Sequence, residues 1–230
     1  MSLDLADYKA KARTAVKQFW SEWKKYGTKK PMVGGMDGFI DLIADIVHAN
    51  GLTRANLLQQ GQPVSLPGYF SPTQSWDLVV VNEGRLIAAI KLDSVPGELL
   101  ASHVGIDCKE VLSMAMELRA AYRGNIFRET RHPFVGYLVL LEDAPSSRCP
   151  VTDVSPYFPI FPEFRNTSYA NRYNTLCVKL MREGLYTSAA VILSPRSASK
   201  SGVYSEMSEL TGLKSFVADL AGHVAMEAVI

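Results

Sequence analysis

The sequence has little of several features on which common enzyme classes depend. Its three cysteines, Cys108, Cys149 and Cys177, are far apart and odd in number, so neither a zinc pattern nor a disulfide framework is present. The four histidines are scattered, and no Gly-rich phosphate loop or Ser/His/Asp arrangement is visible. No apolar run is long enough to span a membrane, and Asp4 and Asp7 interrupt any signal-like N-terminus. We therefore expect a cytoplasmic protein with reduced thiols.

The chain also lacks a strong net charge, which is +1 over 230 residues. With 47% apolar residues it can bury a sizeable core, and we expect a single domain over residues 1–230. Charge is uneven along the chain, because residues 1–35 contain eight basic and three acidic side chains. The basic residues at the end of the first helix and just after it, Lys24, Lys25, Lys29 and Lys30, are candidates for contacts with nucleic-acid phosphates. A solvated helix face is the alternative.

The most informative segment is a predicted β-hairpin. Asp77 leads a run of valines, and the run that starts at Arg85 is similarly apolar, so both read as strands. Asn82, Glu83 and Gly84 form a turn signal, which we interpret as a three-residue connection that places Asp77 opposite Ala89. Side chains alternate between the faces of a strand. This register therefore places Asp77, Lys91 and Asp93 on one face, whereas a two-residue turn would move Asp77 to the other.

One acid on the first strand and two charges late in the second is the layout of a metal-dependent nuclease site. Hydrolysis of a phosphodiester uses carboxylate-held divalent cations to activate water, and a nearby lysine stabilises developing charge. The usual order at the second strand is Glu-x-Lys, whereas this chain has Lys91-Leu92-Asp93. A single cation between Asp77 and Asp93 is one interpretation. A salt bridge from Lys91 that closes the site is another, and plain charges at a strand end are a third.

The rest of the chain predicts alternating helices and strands. Helices are expected over 4–26, 36–50, 106–123, 168–184 and 213–228, and strands over 134–141 and 187–193. Asp107 and Glu110 form an Asp-x-x-Glu pattern typical of a helix cap, which explains Glu110 without catalysis. Arg196 and Lys200 lie in a loop over 194–202, a natural position for DNA contacts. This order predicts an α/β sandwich with a mixed central sheet flanked by helices.

Motifs along nearly the whole chain resemble those of the XhoI family of type II restriction endonucleases, in the PD-(D/E)xK superfamily. The matching stretches include, in order, Asp4–Tyr8, Lys11–Arg13, Ala15–Val16, Gly34–Phe39, Leu66–Phe70, Trp76–Leu78, Leu86–Ile90, Pro133–Tyr137, Leu141–Pro145, Phe158–Phe164, Ser168–Tyr169, Arg172–Tyr173 and Ser205–Leu210. Their common order is more specific than any single motif.

This resemblance implies the restriction-endonuclease-like fold, Mg²⁺-dependent cleavage of double-stranded DNA at a palindromic site, and a homodimer. The family's acidic and Glu-x-Lys positions fall on Asp77, Lys91 and Asp93, of which only the first is retained. The family's Gly/Asn-rich loop is also replaced here, by the stretch from Gly97 to Asp107. Cleavage is therefore expected to be impaired.

Three hypotheses follow from the resemblance and these departures. The first is a Mg²⁺-dependent endonuclease with a rearranged site, in which Asp77, Asp93 and Glu110 hold metal beside Lys91. The second is a DNA-binding pseudo-nuclease without cleavage. The third is an interaction or scaffold protein that has also lost DNA binding.

Overall fold

A computed structural model describes residues 3–27, 35–59, 64–127 and 131–229. Lys29 and Lys30 lie outside the described residues. The helices are α1 (Tyr8–Tyr26), α2 (Asp37–Ala49), α3 (Leu100–Arg123), α4 (Pro145–Arg148), α5 (Tyr169–Arg182), α6 (Ala198–Ser201) and α7 (Leu213–Glu227). The strands are β1 (Asn56–Gln59), β2 (Ser65–Pro67), β3 (Thr73–Ser75), β4 (Leu78–Asn82), β5 (Arg85–Val95), β6 (Phe134–Glu142), β7 (Pro150–Val151), β8 (Thr167–Ser168), β9 (Ser188–Ser194) and β10 (Ser205–Glu206).

A six-stranded mixed sheet with the order β1-β4-β5-β6-β9-β10 forms the centre of the fold. β5, β6 and β9 run parallel, and the pairs toward both edges are antiparallel. One face packs against α1, α2 and α7 and the other against α3 and α5, which gives two hydrophobic clusters. The expected α/β sandwich with a mixed central sheet is confirmed. In the described part of the chain, no helix has the length and apolar character needed to cross a membrane.

The hairpin between β4 and β5 has a different turn from the predicted one. Asn82 pairs with Arg85, so the turn has two residues, and both Glu83 and Gly84 have positive φ, as a type I′ turn requires. A β-bulge then leaves Ile87 without a pairing residue in β4, between the pairs Val80–Ala88 and Val81–Leu86. The predicted three-residue connection is wrong, and so is the pairing of Asp77 with Ala89.

The bulge nevertheless preserves the predicted face. Leu78 pairs with Ile90, so Asp77 lies level with Lys91. The extra residue compensates for the shorter turn, and the site therefore faces the α3 and α5 layer.

Helix α3 begins earlier than predicted. It starts at Leu100 and not near residue 106, so most of the presumed loop from Gly97 to Asp107 is helical. Leu99 is the N-cap, and Asp107 and Glu110 lie inside the helix, so the predicted Asp-x-x-Glu cap is wrong. Glu110 therefore has no capping role and projects from the body of the helix.

Smaller differences occur elsewhere. Ala6 and Asp7 have positive φ, so α1 starts at Tyr8 instead of residue 4. The predicted loop over 194–202 contains the short helix α6, and the sequence reading missed β1, the β2–β3 hairpin and β10. Ser168, the predicted start of the helix over 168–184, is the N-cap of α5, because its hydroxyl accepts a hydrogen bond from the Asn171 amide at 3.3 Å.

Candidate active site

Asp77 is positioned by the backbone of the neighbouring strand. β5 extends beyond the end of β4, which leaves the amide of Leu92 without a strand partner on that side. The Asp77 carboxylate accepts a hydrogen bond from this amide at 2.8 Å. Asp77 therefore replaces the missing strand residue and is buried, with one of its oxygens held by the backbone.

Lys91 is the centre of a four-residue ionic cluster. Its Nζ lies 3.4 Å from an oxygen of Asp77, 3.1 Å from one of Asp93 and 2.9 Å from one of Glu110. The first two acids come from the hairpin and the third from α3. Asp77, Lys91 and Asp93 are largely buried, whereas the Glu110 side chain is 45% exposed. The cluster is thus open to solvent at Glu110.

Burial and mutual charge shift the titration of this cluster. Burial alone would lower the pKa of Lys91, but Asp93, Asp77 and Glu110 outweigh it and raise that pKa, so the side chain remains an ammonium ion. Burial raises the pKa of Asp93 to about 6 despite the opposing effect of Lys91, and Asp107 adds to the rise. Asp93 is therefore ionised at pH 7 to 8 but takes up a proton in mildly acidic solution.

A second polar pair lies beside the cluster. The Tyr173 hydroxyl donates a hydrogen bond to Asp107 at 2.5 Å. Burial, together with the charge of Asp107, raises the pKa of Tyr173 well above its ordinary value, so it stays a donor. Sequence reasoning did not assign Asp107 to the site. The only signal for it was its spacing of three residues from Glu110, which places both on one side of a helix.

The donor types of this cluster fit a hard divalent cation. Carboxylate oxygens are the ligands that Mg²⁺ prefers, and Oδ2 of Asp93 is buried without a hydrogen-bond partner. The arrangement itself, however, converges on the Lys91 ammonium. Among the described residues, no group of three or more His, Cys, Asp or Glu side chains is already arranged around a common point that suits a metal. A cation would therefore have to compete with Lys91.

Some of the predicted DNA-contact residues lie close together at the carboxyl end of the parallel strands. Lys24 and Arg196 line the same depression of about 450 Å³, together with Trp23 and Glu98. Arg196 forms ion pairs with Glu98 and Glu142, the latter at 2.7 Å, so its charge is largely compensated.

Two further predicted contact residues lie on neighbouring elements. Lys25 and Lys200 are exposed, at the end of α1 and in α6. These two elements are neighbours, since the Ser21 hydroxyl lies 3.5 Å from the Ser199 carbonyl oxygen.

The mixed sheet between helical layers, with acids on adjacent strands, defines a protein with the restriction-endonuclease-like fold. The family model described as Restriction endonuclease XhoI matches residues 17–206. The chain belongs to the XhoI family of restriction endonucleases.

Curated relatives agree with this assignment. The type II restriction enzyme XhoI of Xanthomonas vasicola is 38% identical over 208 residues, which covers 85% of this chain and 84% of the relative. The enzyme BstVI of Geobacillus stearothermophilus is 36% identical over 214 residues, 90% of this chain and 95% of the relative. AbrI of Azospirillum brasilense is 41% identical over 171 residues, 69% and 77% of the two chains. No solved structure matches the chain.

Proposed function

We propose that this protein is a Mg²⁺-dependent endonuclease that cuts double-stranded DNA at a palindromic site, and that Lys91 slows its cleavage. The observation that carries the proposal is the convergence of Asp77, Asp93 and Glu110 on one point, in a chain of a restriction-endonuclease family. Type II restriction enzymes generally use Mg²⁺, and the carboxylate donors here suit that ion.

In this proposal Asp77, Asp93 and Glu110 hold the cation. When bound, Mg²⁺ lowers the pKa of water and neutralises charge on the phosphoryl group. The hydrogen bond from Leu92 fixes Asp77, and the unpaired Oδ2 of Asp93 is available as a ligand. Lys91 supplies a permanent positive charge within reach of the same point, where it can stabilise charge that develops on the phosphate.

The same lysine explains the expected slowness. Its ammonium already lies within 3.4 Å of all three carboxylates. A divalent cation can bind either beside this ammonium, which repels it, or in place of the ammonium. Both arrangements cost free energy in a largely buried site. We therefore propose weak cation affinity in place of a complete loss of the site.

A DNA-binding protein without cleavage is the second candidate function. The observation that favours it is the same set of ion pairs, because Lys91 already contacts all three acids and occupies the point on which they converge. Under this alternative the acids stabilise the fold and the DNA-binding surface persists.

The partners in either case are double-stranded DNA and a second copy of the chain. We propose that Lys24, Lys25 and Lys200, with Lys29, Lys30 and Arg196, contact phosphates. A homodimer follows from the two-fold symmetry of a palindromic site. Sedimentation of the purified protein checks the dimer directly.

A plasmid assay separates the two candidate functions. Micromolar protein is incubated with supercoiled plasmid in Mg²⁺, in Mn²⁺ and in EDTA, with Asp77→Asn as the control. We expect nicked or linear DNA that requires both the metal and Asp77. An absence of nicking in either metal would remove cleavage and leave the second candidate.

Exchange of Lys24 and Lys200 for alanine tests the basic surface. Removal of a lysine that binds a phosphate is expected to reduce the slope of log K against log salt by about 0.9, so the double variant should show a slope smaller by roughly 2. Duplex binding is measured in Ca²⁺ at several salt concentrations. Lys109→Ala, which removes an exposed lysine from α3, is the control and should leave the slope unchanged. A wild type without any salt slope would contradict DNA binding by this surface.

The raised pKa of Asp93 predicts a pH profile. Since the carboxylate form is the ligand, cleavage and Mn²⁺ binding should fall tenfold per pH unit below about pH 6. The native pKa exceeds the unfolded value, so the folded state binds more protons between about pH 4 and 6. Stability from this group therefore decreases as pH rises through that window. Denaturant titrations of wild type and Asp93→Asn should show the decrease in the wild type alone.

A further inference from the structure

Two aromatic side chains project from the tip of the β2–β3 hairpin. Phe70 is 74% exposed and Tyr69 is 58% exposed, and their rings are in edge-to-face contact with centroids 5.0 Å apart. Tyr69 also lies against the end of α3, because a Cβ at Gly124 would be 3.5 Å from its ring. Tyr69 thus supports Phe70, which extends further into solvent.

The tip is held in place by a buried carboxylate of α3. Glu117 accepts hydrogen bonds from the amides of Tyr69 and Phe70 at 2.6 and 2.9 Å, and from the Ser71 hydroxyl at 2.9 Å. The amides of Phe70 and Tyr69 lower the pKa of Glu117, which therefore stays charged. Gly68 closes the turn, since a Cβ there would approach the Ser71 carbonyl oxygen to 2.4 Å. The aromatic pair is thus preorganised.

The tip is connected to the ionic cluster by two routes. Along the chain, β3 ends one residue before Trp76, which is followed by Asp77. Along α3, Glu117 follows Glu110 by seven residues, so both project from the same side of the helix. At 1.5 Å per residue their separation along the helix axis is about 10 Å. The hairpin tip is therefore anchored to the same helix that carries Glu110.

We propose that Phe70 is a wedge that inserts between adjacent bases of the duplex DNA bound at the Lys91 cluster, with Tyr69 as its support. This inference rests on the proposed DNA-binding function and adds a specificity-determining element to it. Apolar side chains inserted in this way unstack a base step and kink the duplex. Steps that unstack easily, such as pyrimidine–purine steps, would be preferred at that position without any base-edge hydrogen bond.

The composition of the tip gives the proposal a distinctive signature. Residues 68–72 carry no charged side chain, so the wedge adds no phosphate contact. Removal of the Phe70 ring should therefore weaken binding while the salt slope stays constant. A phosphate-binding residue would change both.

The test compares Phe70→Ala with Phe158→Ala, which removes another highly exposed ring, 77% accessible, from a different part of the chain. A binding duplex is first selected with the wild type from a random-sequence pool in Ca²⁺. Affinity, salt slope and the fluorescence of 2-aminopurine placed at successive positions of that duplex are then measured. We expect Phe70→Ala to bind roughly tenfold more weakly with an unchanged slope, and to abolish a fluorescence increase that wild type and Phe158→Ala produce.

Several results would overturn the wedge. Equal affinity and fluorescence for Phe70→Ala and wild type would mean that the ring does not contact bases. A changed sedimentation coefficient for Phe70→Ala alone would assign the tip to a protein contact. Wild type that selects no duplex at all would remove the DNA-binding function together with the wedge, whereas selection without a Phe70 effect removes only the wedge.

Discussion

Replacement of Lys91 with methionine is expected to lower the free energy of unfolding by about 3–5 kcal/mol at pH 8, because removal of one partner leaves buried charges uncompensated. The ammonium contacts Asp77, Asp93 and Glu110 at once, and the first two are largely buried. Methionine is also unbranched and is shorter than lysine only by the terminal nitrogen, so the decrease in stability reflects charge more than packing. Chemical denaturation in EDTA measures it.

Divalent cations should restore much of this stability. If the three carboxylates form a cation site, 10 mM Mg²⁺ will bind the folded Lys91→Met protein and stabilise it more than the wild type, since no ammonium competes. Lys109→Met is the matched control, because that lysine is exposed on α3 beside Glu110, and its effect should stay within about 0.5 kcal/mol. If Mg²⁺ does not change the free energy of unfolding of the Lys91→Met protein, the acids are only structural partners of the lysine.

The second large effect is expected from the paired exchange Lys91→Glu with Asp93→Lys. This exchange places a carboxylate level with Asp77 and moves the ammonium one residue pair along the same face. We expect tighter Mn²⁺ binding and roughly 10²-fold faster plasmid cleavage, the scale of a well-placed electrostatic contact. Each single substitution is the control and should not reproduce the gain.

A paired variant that binds Mn²⁺ no more tightly than the wild type would place the cause of the proposed weak activity outside these two positions. The stretch from Gly97 to Asp107 would then be the next segment to exchange. Its helical structure means that such an exchange must preserve the start of α3 at Leu100.

The sequence correctly predicted that Asp77, Lys91 and Asp93 share one face of the hairpin. The turn length and the strand pairing behind that prediction were wrong. Alternation along the strands is a strong signal because one residue of slip would expose the valines. The turn and the bulge at Ile87 each shift the register, and their effects cancel with respect to the face. Neither a positive φ at Glu83 nor a bulge in an unbroken apolar run leaves a clear trace in sequence.

The contribution of α3 was the least predictable part of the site. Ser102, His103 and Gly105 favour a loop by propensity, yet the segment is helical because Leu100 is buried in the core and Gly105 faces open space. Tertiary packing overrides local preference in this case. The pairing of Glu110 with Lys91, and the hold of Glu117 on the hairpin tip, depend on contacts across more than 15 residues of chain.

Direct titration of Mn²⁺ is the measurement closest to the central claim, that Asp77, Asp93 and Glu110 form a cation site at which Lys91 competes. Electron paramagnetic resonance of free Mn²⁺ gives the affinity of wild type, Asp77→Asn and the paired exchange at pH 8. We predict weak binding of about one ion per chain, at least tenfold weaker in Asp77→Asn and at least tenfold tighter in the paired exchange. Identical affinities for all three proteins would contradict it.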